Sequence, residues 1–85
     1  MDASAIPDSA FCLKWRLTWP DRDVLHDFVG FDGETRVCRI YRTAPPSLGE
    51  RWYWCAGQTR NLGTGQADSA RAAALAAERA YFAAE

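Results

Sequence analysis

Few side chains in this sequence have the types and spacing that catalysis requires. His26 is the single histidine, so a Ser–His or Cys–His mechanism would have to use it. The sequence places no nucleophile beside it together with a third, orienting group. We therefore expect no catalytic residue and predict that the protein is not an enzyme.

Asp21, Asp23 and Asp27 form a local acidic cluster, which raises the question of a calcium loop. Such a loop needs a glycine at its sixth position and a glutamate at its twelfth, and this segment has neither. The group is therefore predicted to be a solvated turn.

Three cysteines, Cys12, Cys38 and Cys55, are widely spaced, and each lies in an apolar run. A zinc site would need a close Cys-x-x-Cys pair and a fourth ligand. We expect reduced, buried cysteines of the kind found in cytoplasmic proteins. The segment Gly63–Gly65 precedes a predicted helix, but it lacks the strand and lysine of a phosphate loop, so we interpret it as a connector. No metal or cofactor is expected.

The composition indicates one small globular domain. The chain has 85 residues, is 48% hydrophobic and carries a formal net charge of −1. The near-neutral charge weighs against a dedicated nucleic-acid domain. Residues 1–10 have neither the basic start nor the apolar run of a secretory signal and are predicted to form a disordered tail before a domain at 11–85. No segment resembles a membrane span, so we expect a cytoplasmic protein.

The hydrophobic pattern predicts an α+β fold. Residues 11–19 alternate between apolar and polar types, which is typical of a half-buried strand. Further strands are predicted at about 25–31, 36–42 and 51–56, and an alanine-rich helix from about residue 68, with Asp68 or Ser69 as its cap. We expect an antiparallel β-meander of three to four strands with one C-terminal helix packed on one face.

The turn at Asp32-Gly33 predicts how the central hairpin divides its side chains between two faces. Whether the turn holds two residues or four, the face covered by the helix is expected to hold Leu25, Asp27, Val29, Phe31, Cys38 and Ile40. The opposite, open face would hold His26, Phe28, Gly30, Val37, Arg39 and Tyr41. For the fourth strand, the pattern leaves open whether Trp52 and Trp54, or Tyr53 and Cys55, lie on the open face.

The predicted open face is rich in aromatic rings and arginine. Its candidate contact residues are Phe28, Arg39, Tyr41, Trp52 and Trp54. One interpretation is that guanidinium groups and rings simply cover the outside of a thin sheet. The other is that these side chains form a contact surface.

Two resemblances accompany this pattern. The series "DG", "VCRIYR", "RWYWC" and "SARAAALAAERAYF" resembles a group of short uncharacterised bacterial proteins, and that likeness implies no activity. A sheet followed by an alanine-rich helix also resembles the arm-binding domains of phage integrases and the ethylene-response-factor DNA-binding domains. That resemblance implies that the open face enters the DNA major groove, with matching positions at Arg36, Arg39, Tyr41, Arg51, Trp52 and Trp54.

Taken together, the residues favour a protein-interaction or self-association module that uses the open sheet face. Aromatic and arginine side chains at near-zero net charge are typical of protein–protein contacts, and the partner is unknown. The alternative is a nucleic-acid-binding domain that uses the same face.

Overall fold

The computed structural model describes residues 11–21, 25–57 and 60–83. Within these residues the chain forms five antiparallel strands, which lie side by side in sequence order, and one α-helix that packs across the last three. This architecture confirms the predicted α+β class, with one strand more than expected. The predicted tail at residues 1–10 lies outside the described residues. The elements are β1 (Lys14–Leu17), β2 (Asp27–Asp32), β3 (Thr35–Ala44), β4 (Arg51–Ala56), β5 (Gly63–Ala67) and α1 (Ala70–Ala83), with a 3-10 turn at Pro46–Leu48.

The strand β1 is shorter than the alternating pattern of residues 11–19 predicted. Leu13 and Trp15 are buried in the core, whereas Lys14 and Arg16 are exposed, as the alternation requires. The paired segment ends at Leu17. The residues beyond it approach a proline, which lacks the backbone donor that a strand ladder uses.

An extra residue in β3 changes the pairing of the central hairpin. Phe31 pairs with Arg36, but the preceding Gly30 pairs with Cys38, so Val37 has no partner of its own in β2. This is a β-bulge, in which two residues of one strand lie opposite one residue of the other. Because the side-chain period of a strand is two, one extra residue reverses the faces of β2 relative to β3.

The predicted faces of β3 are confirmed except at Val37, which was expected on the open face but is buried in the core. The predicted faces of β2 are wrong. Ile40 is fully buried beneath the helix, and Arg39 lies on the opposite side. Phe28, predicted on the open face, pairs with Ile40 and is buried in the core. Asp27, predicted to face the helix, pairs with Tyr41 on the open side. The same reversal places Gly30 on the helix side and Val29 and Phe31 on the open side. Leu25 and His26 precede β2, and Leu25 is exposed.

The segment Gly63–Ala67, predicted as a loop, is an edge strand paired with β4. Its glycines make room for an aromatic ring. A Cβ on Gly65 would lie 2.8 Å from Nε1 of Trp54, so the indole packs directly on the strand backbone. Glycine inside a strand often marks such a close approach of another group to the backbone. Because glycine has no side chain, it contributes nothing to the alternation of apolar and polar residues by which a strand is predicted.

The helix α1 lies close to the sheet because its inner side chains are small. Ser69 caps it: the hydroxyl oxygen accepts a hydrogen bond from the amide of Ala72 at 3.1 Å. Ala73, Ala74 and Ala77 are fully buried. The thiol of Cys38 reaches the carbonyl oxygen of Ala77 at 3.7 Å, which shows how near the strand and helix backbones come. Ala70 and Tyr81 pack at the edge of this contact.

A buried carboxylate joins β1 to the helix. Glu78 is 5% exposed, and its oxygens accept hydrogen bonds from the backbone amides of Cys12 at 3.0 Å and Leu13 at 2.9 Å. The indole N–H of Trp15 donates to the same carboxylate at 3.0 Å. A charge is tolerated in a core only when such donors replace water, so this cluster fixes where β1 enters the sheet.

Candidate functional site

The face of the sheet opposite α1, called the open face from here on, is covered by no helix of the described residues. Strand register places its side chains in rows that cross the strands. One row contains Arg16, Val29, Arg39, Cys55 and Thr64. A neighbouring row contains Asp27, Tyr41, Tyr53 and Gln66, and the row on the other side contains Lys14, Phe31 and Arg36. Arg51 begins β4 and faces the same way, because Trp52, the next residue, packs in the core.

A charged pair lies near the centre of the open face. The Nε and Nη2 atoms of Arg39 donate to the two carboxylate oxygens of Asp27 at 3.0 Å and 2.6 Å. The hydroxyl of Thr18 donates to the same carboxylate at 2.7 Å. The Asp27 side chain is 8% exposed and that of Arg39 is 38% exposed, so the carboxylate is covered while the guanidinium remains accessible.

The protonation of this pair follows from its contacts. Burial alone would raise the pKa of Asp27, but hydrogen bonds from Arg39 and Thr18, and the positive charge of Arg39, outweigh it and hold the pKa below 3.8. The same hydrogen bond favours the charged form of Arg39 and therefore raises the pKa of its guanidinium. Both groups are therefore charged at neutral pH, and the arginine is held in one orientation by a two-point contact.

Two tyrosines lie beside the pair. The ring centroids of Tyr41 and Tyr53 are 5.3 Å apart, and the ring planes are inclined by 45°. The guanidinium carbon of Arg39 lies 4.8 Å from the centroid of the Tyr41 ring, within cation–π range. The Tyr41 ring is thus covered by Arg39, whereas the Tyr53 ring lies on the neighbouring strand β4.

The open face is strongly basic. Among the described residues it carries five cationic side chains and a single carboxylate, that of Asp27, which is already paired. The cations are Lys14, Arg16, Arg36, Arg39 and Arg51. The first four of these, called the basic cluster from here on, occupy two adjacent rows on β1 and β3.

Several acidic residues are held on the other side of the sheet. Tyr81 donates its hydroxyl to Asp32 at 2.8 Å, and the indole of Trp52 donates to Glu50 at 2.5 Å. Glu78 is enclosed beneath the helix. These acidic side chains offset the cations of the open face in the net charge of −1 without lying beside them.

A shallow cavity of about 340 Å³ opens beside the bulge. Arg36, Arg39 and Cys55 line it from the open face, and the rest of its wall is formed by Val37, Cys38 and Gly57. Two arginines at one concavity can contact a phosphate or carboxylate group.

The structure separates the five predicted contact residues. Arg39 and Tyr41 lie together on the open face, whereas Phe28 and Trp52 are buried in the core at 3% and 5% exposure. Trp54 is half-buried on the helix side, where it packs on Gly65.

Sequence reasoning missed other members of this surface. The sequence pattern leaves open whether Tyr53 lies on the open face, and the predicted contact residues do not include Lys14 and Arg16. The signal for the last two was present, because the alternation in β1 already separates them from the buried residues Leu13 and Trp15.

Of the three cysteines, all predicted to be buried, Cys38 is buried, Cys55 is half-buried and Cys12 is exposed. Cys38 points towards the helix and Cys55 towards the open face, so they cannot pair without rearrangement. Burial, and to a lesser degree the nearby Cys55, raises the pKa of Cys38 to about 12, so its thiol is protonated at neutral pH. Among the residues that the structure describes, no three histidine, cysteine or acidic side chains are grouped as metal ligands.

Comparison of the chain with protein-family models, with curated proteins and with solved structures finds no match. In the described part of the chain, no helix is both long enough and apolar enough to cross a membrane.

Proposed function

We propose that this domain binds nucleic acid on its open face. The observation that carries the proposal is the charge of that face, where five cations stand against one neutralised carboxylate among the described residues. Contacts between basic side chains and phosphates provide most of the sequence-independent affinity for nucleic acids. Chain-wide net charge underestimates such a surface, since a ligand meets one face at a time.

The fixed orientation of Arg39, one member of the basic cluster, supports the same proposal. Arg39 is fixed by Asp27 on one side and by the Tyr41 ring on the other, so little side-chain entropy is lost when it contacts a ligand. Polar side chains, including Thr64 and Gln66, extend the face across β5 and supply further hydrogen-bonding groups.

A second candidate is an acidic protein partner. Tyrosine and arginine are enriched in the cores of protein–protein contacts, and both lie at the centre of the open face. Self-association through two open faces is disfavoured electrostatically, because each copy would bring an excess of four positive charges, five cations less the one carboxylate. The interaction-module interpretation stays a prediction, with an acidic partner as its better-supported form.

The proposal is tested with two variants of equal charge. Lys14→Gln/Arg16→Gln removes two cations from the open face, and Arg71→Gln/Arg79→Gln removes two exposed cations from the helix side. Fluorescence anisotropy with a labelled oligonucleotide at about 50 mM salt amplifies electrostatic affinity. The first variant should bind more weakly and lower the salt slope of log K by about 1.4 for a single strand. The second should bind like the unchanged protein.

Two outcomes would contradict the proposal. One is the absence of binding at that salt concentration, and the other is an equal loss of affinity in both variants. Binding to an acidic protein or peptide without binding to oligonucleotides would instead support the second candidate.

A further inference from the structure

We infer that the open face takes single-stranded nucleic acid and that a base stacks on Tyr53. This inference rests on the proposed function and specifies its ligand. It comes from the width of the sheet and from the arrangement of the two tyrosines.

The sheet is too wide to enter a duplex groove. Its five strands, spaced about 4.8 Å apart, extend about 19 Å between the outer strands. The major groove of B-DNA is about 12 Å wide and admits an α-helix or a two-stranded ribbon. A basic sheet of this width instead presents a platform along which an unpaired strand can lie.

The tyrosines supply the second element of such a platform. Tyr41 and Tyr53 are direct neighbours in the register of β3 and β4, and both rings are half-buried. The guanidinium of Arg39 lies over Tyr41, while no described cation–π partner is placed over Tyr53. Tyr53 is therefore the ring with a face for a base, and its neighbour Tyr41 holds it in position.

The surrounding side chains provide the remaining contacts of a single-strand site. The basic cluster lies on β1 and β3 to one side of the tyrosines, and Arg51 begins β4, two residues before Tyr53. Phosphates of one strand can contact cations on both sides while a base between them stacks on the ring. Gln66, opposite Tyr53 in β5, can hydrogen-bond to the edge of that base.

The test compares three ligands with the same protein: a single strand of about 12 thymidines, a duplex of equal length, and inorganic polyphosphate of similar length, which carries charge without bases. The single strand should bind most tightly. Tyr53→Leu should weaken binding of the single strand about tenfold and leave binding of polyphosphate unchanged, because only the base uses the ring. Tyr53→Phe retains the ring and should restore the affinity.

A measurement on the unchanged protein avoids dependence on a variant that fails to fold. Photo-crosslinking with a bromodeoxyuridine-substituted single strand should label Tyr53, identified by mass spectrometry. Tighter binding of the duplex, equal binding of polyphosphate, or crosslinks restricted to the helix side would overturn this inference while nucleic-acid or polyanion binding persisted. If none of the three ligands binds, the proposed function itself fails.

Discussion

The buried carboxylate of Glu78 gives the sharpest test of how the fold is held together. Glu78→Ala leaves two buried donors, the amide of Leu13 and the indole N–H of Trp15, and one half-buried donor, the amide of Cys12, without their acceptor. Each buried unsatisfied donor costs about 1–3 kcal/mol. Removing a buried charge offsets part of this cost. We expect the free energy of unfolding to fall by about 3 kcal/mol.

A loss of this size is easily measured in so short a chain. In a domain of 60–100 residues each kcal/mol lowers Tm by about 4–8 °C, so Glu78→Ala should lower Tm by about 12–24 °C. Thermal unfolding followed by circular dichroism measures this shift. Glu50→Ala is the matched control, since Glu50 also accepts a hydrogen bond from an indole but at a partly exposed site. Its effect should stay within about 1 kcal/mol.

A double-mutant cycle identifies the contact itself. Trp15→Phe removes one donor and keeps a ring in the core, so combining it with Glu78→Ala should cost less than the sum of the two single changes. The reasoning is refuted if Glu78→Ala lowers Tm no more than Glu50→Ala, or if the two changes at the cluster are additive.

Three further predictions concern other parts of the fold. The lowered pKa of Asp27 means that its contribution to stability is complete above pH 3.8 and is lost as pH falls through the lower folded-state pKa. Asp27→Asn should therefore reduce stability at neutral pH and flatten the acid limb of a urea-unfolding series. Gly65→Ala should cost about 2 kcal/mol by forcing its Cβ against an indole, whereas Gly33→Ala, with a φ of +67° and open space around it, should cost about 1 kcal/mol in the same assay. A thiol reagent should modify exposed Cys12 rapidly and buried Cys38 only after unfolding, as measured by mass spectrometry over time.

The fold class could be predicted because the local patterns agree with the final packing. Alternation in β1 separates Trp15 from Arg16, and the contrast between Ile40 and Arg39 assigns the faces of β3. An alanine-rich segment without glycine or proline predicts the helix. These patterns depend only on residues that are close in the sequence, so they can be interpreted without knowledge of tertiary contacts.

The faces of β2 could not be predicted, because they depend on one bulge. Val37 is an apolar residue inside a strand of mixed composition, and its sequence neighbours do not indicate that it lacks a partner in β2. Its effect is long-range: it moves Phe28 into the core and Asp27 onto the open face. A register argument from turn length holds only where pairing is unbroken.

The net charge of the whole chain does not indicate that one face of the sheet is basic. A net charge of −1 indicates little electrostatic character, yet strand alternation collects cations on one face and leaves Asp32, Glu50 and Glu78 bonded on the other side. The buried Glu78 was equally invisible, since a glutamate in a helix is ordinarily solvated. Only the packing of β1 shows what the carboxylate binds.

The most direct test of the central claim is a map of the binding surface in solution. Amide chemical shifts of the protein are followed while a single strand of about 12 thymidines is added at about 50 mM salt. We predict shifts that concentrate at Arg16, Arg39 and Tyr53 and leave buried helix positions such as Ala73 unchanged. Shifts confined to α1, or no shifts at saturating oligonucleotide, would contradict nucleic-acid binding by the open face.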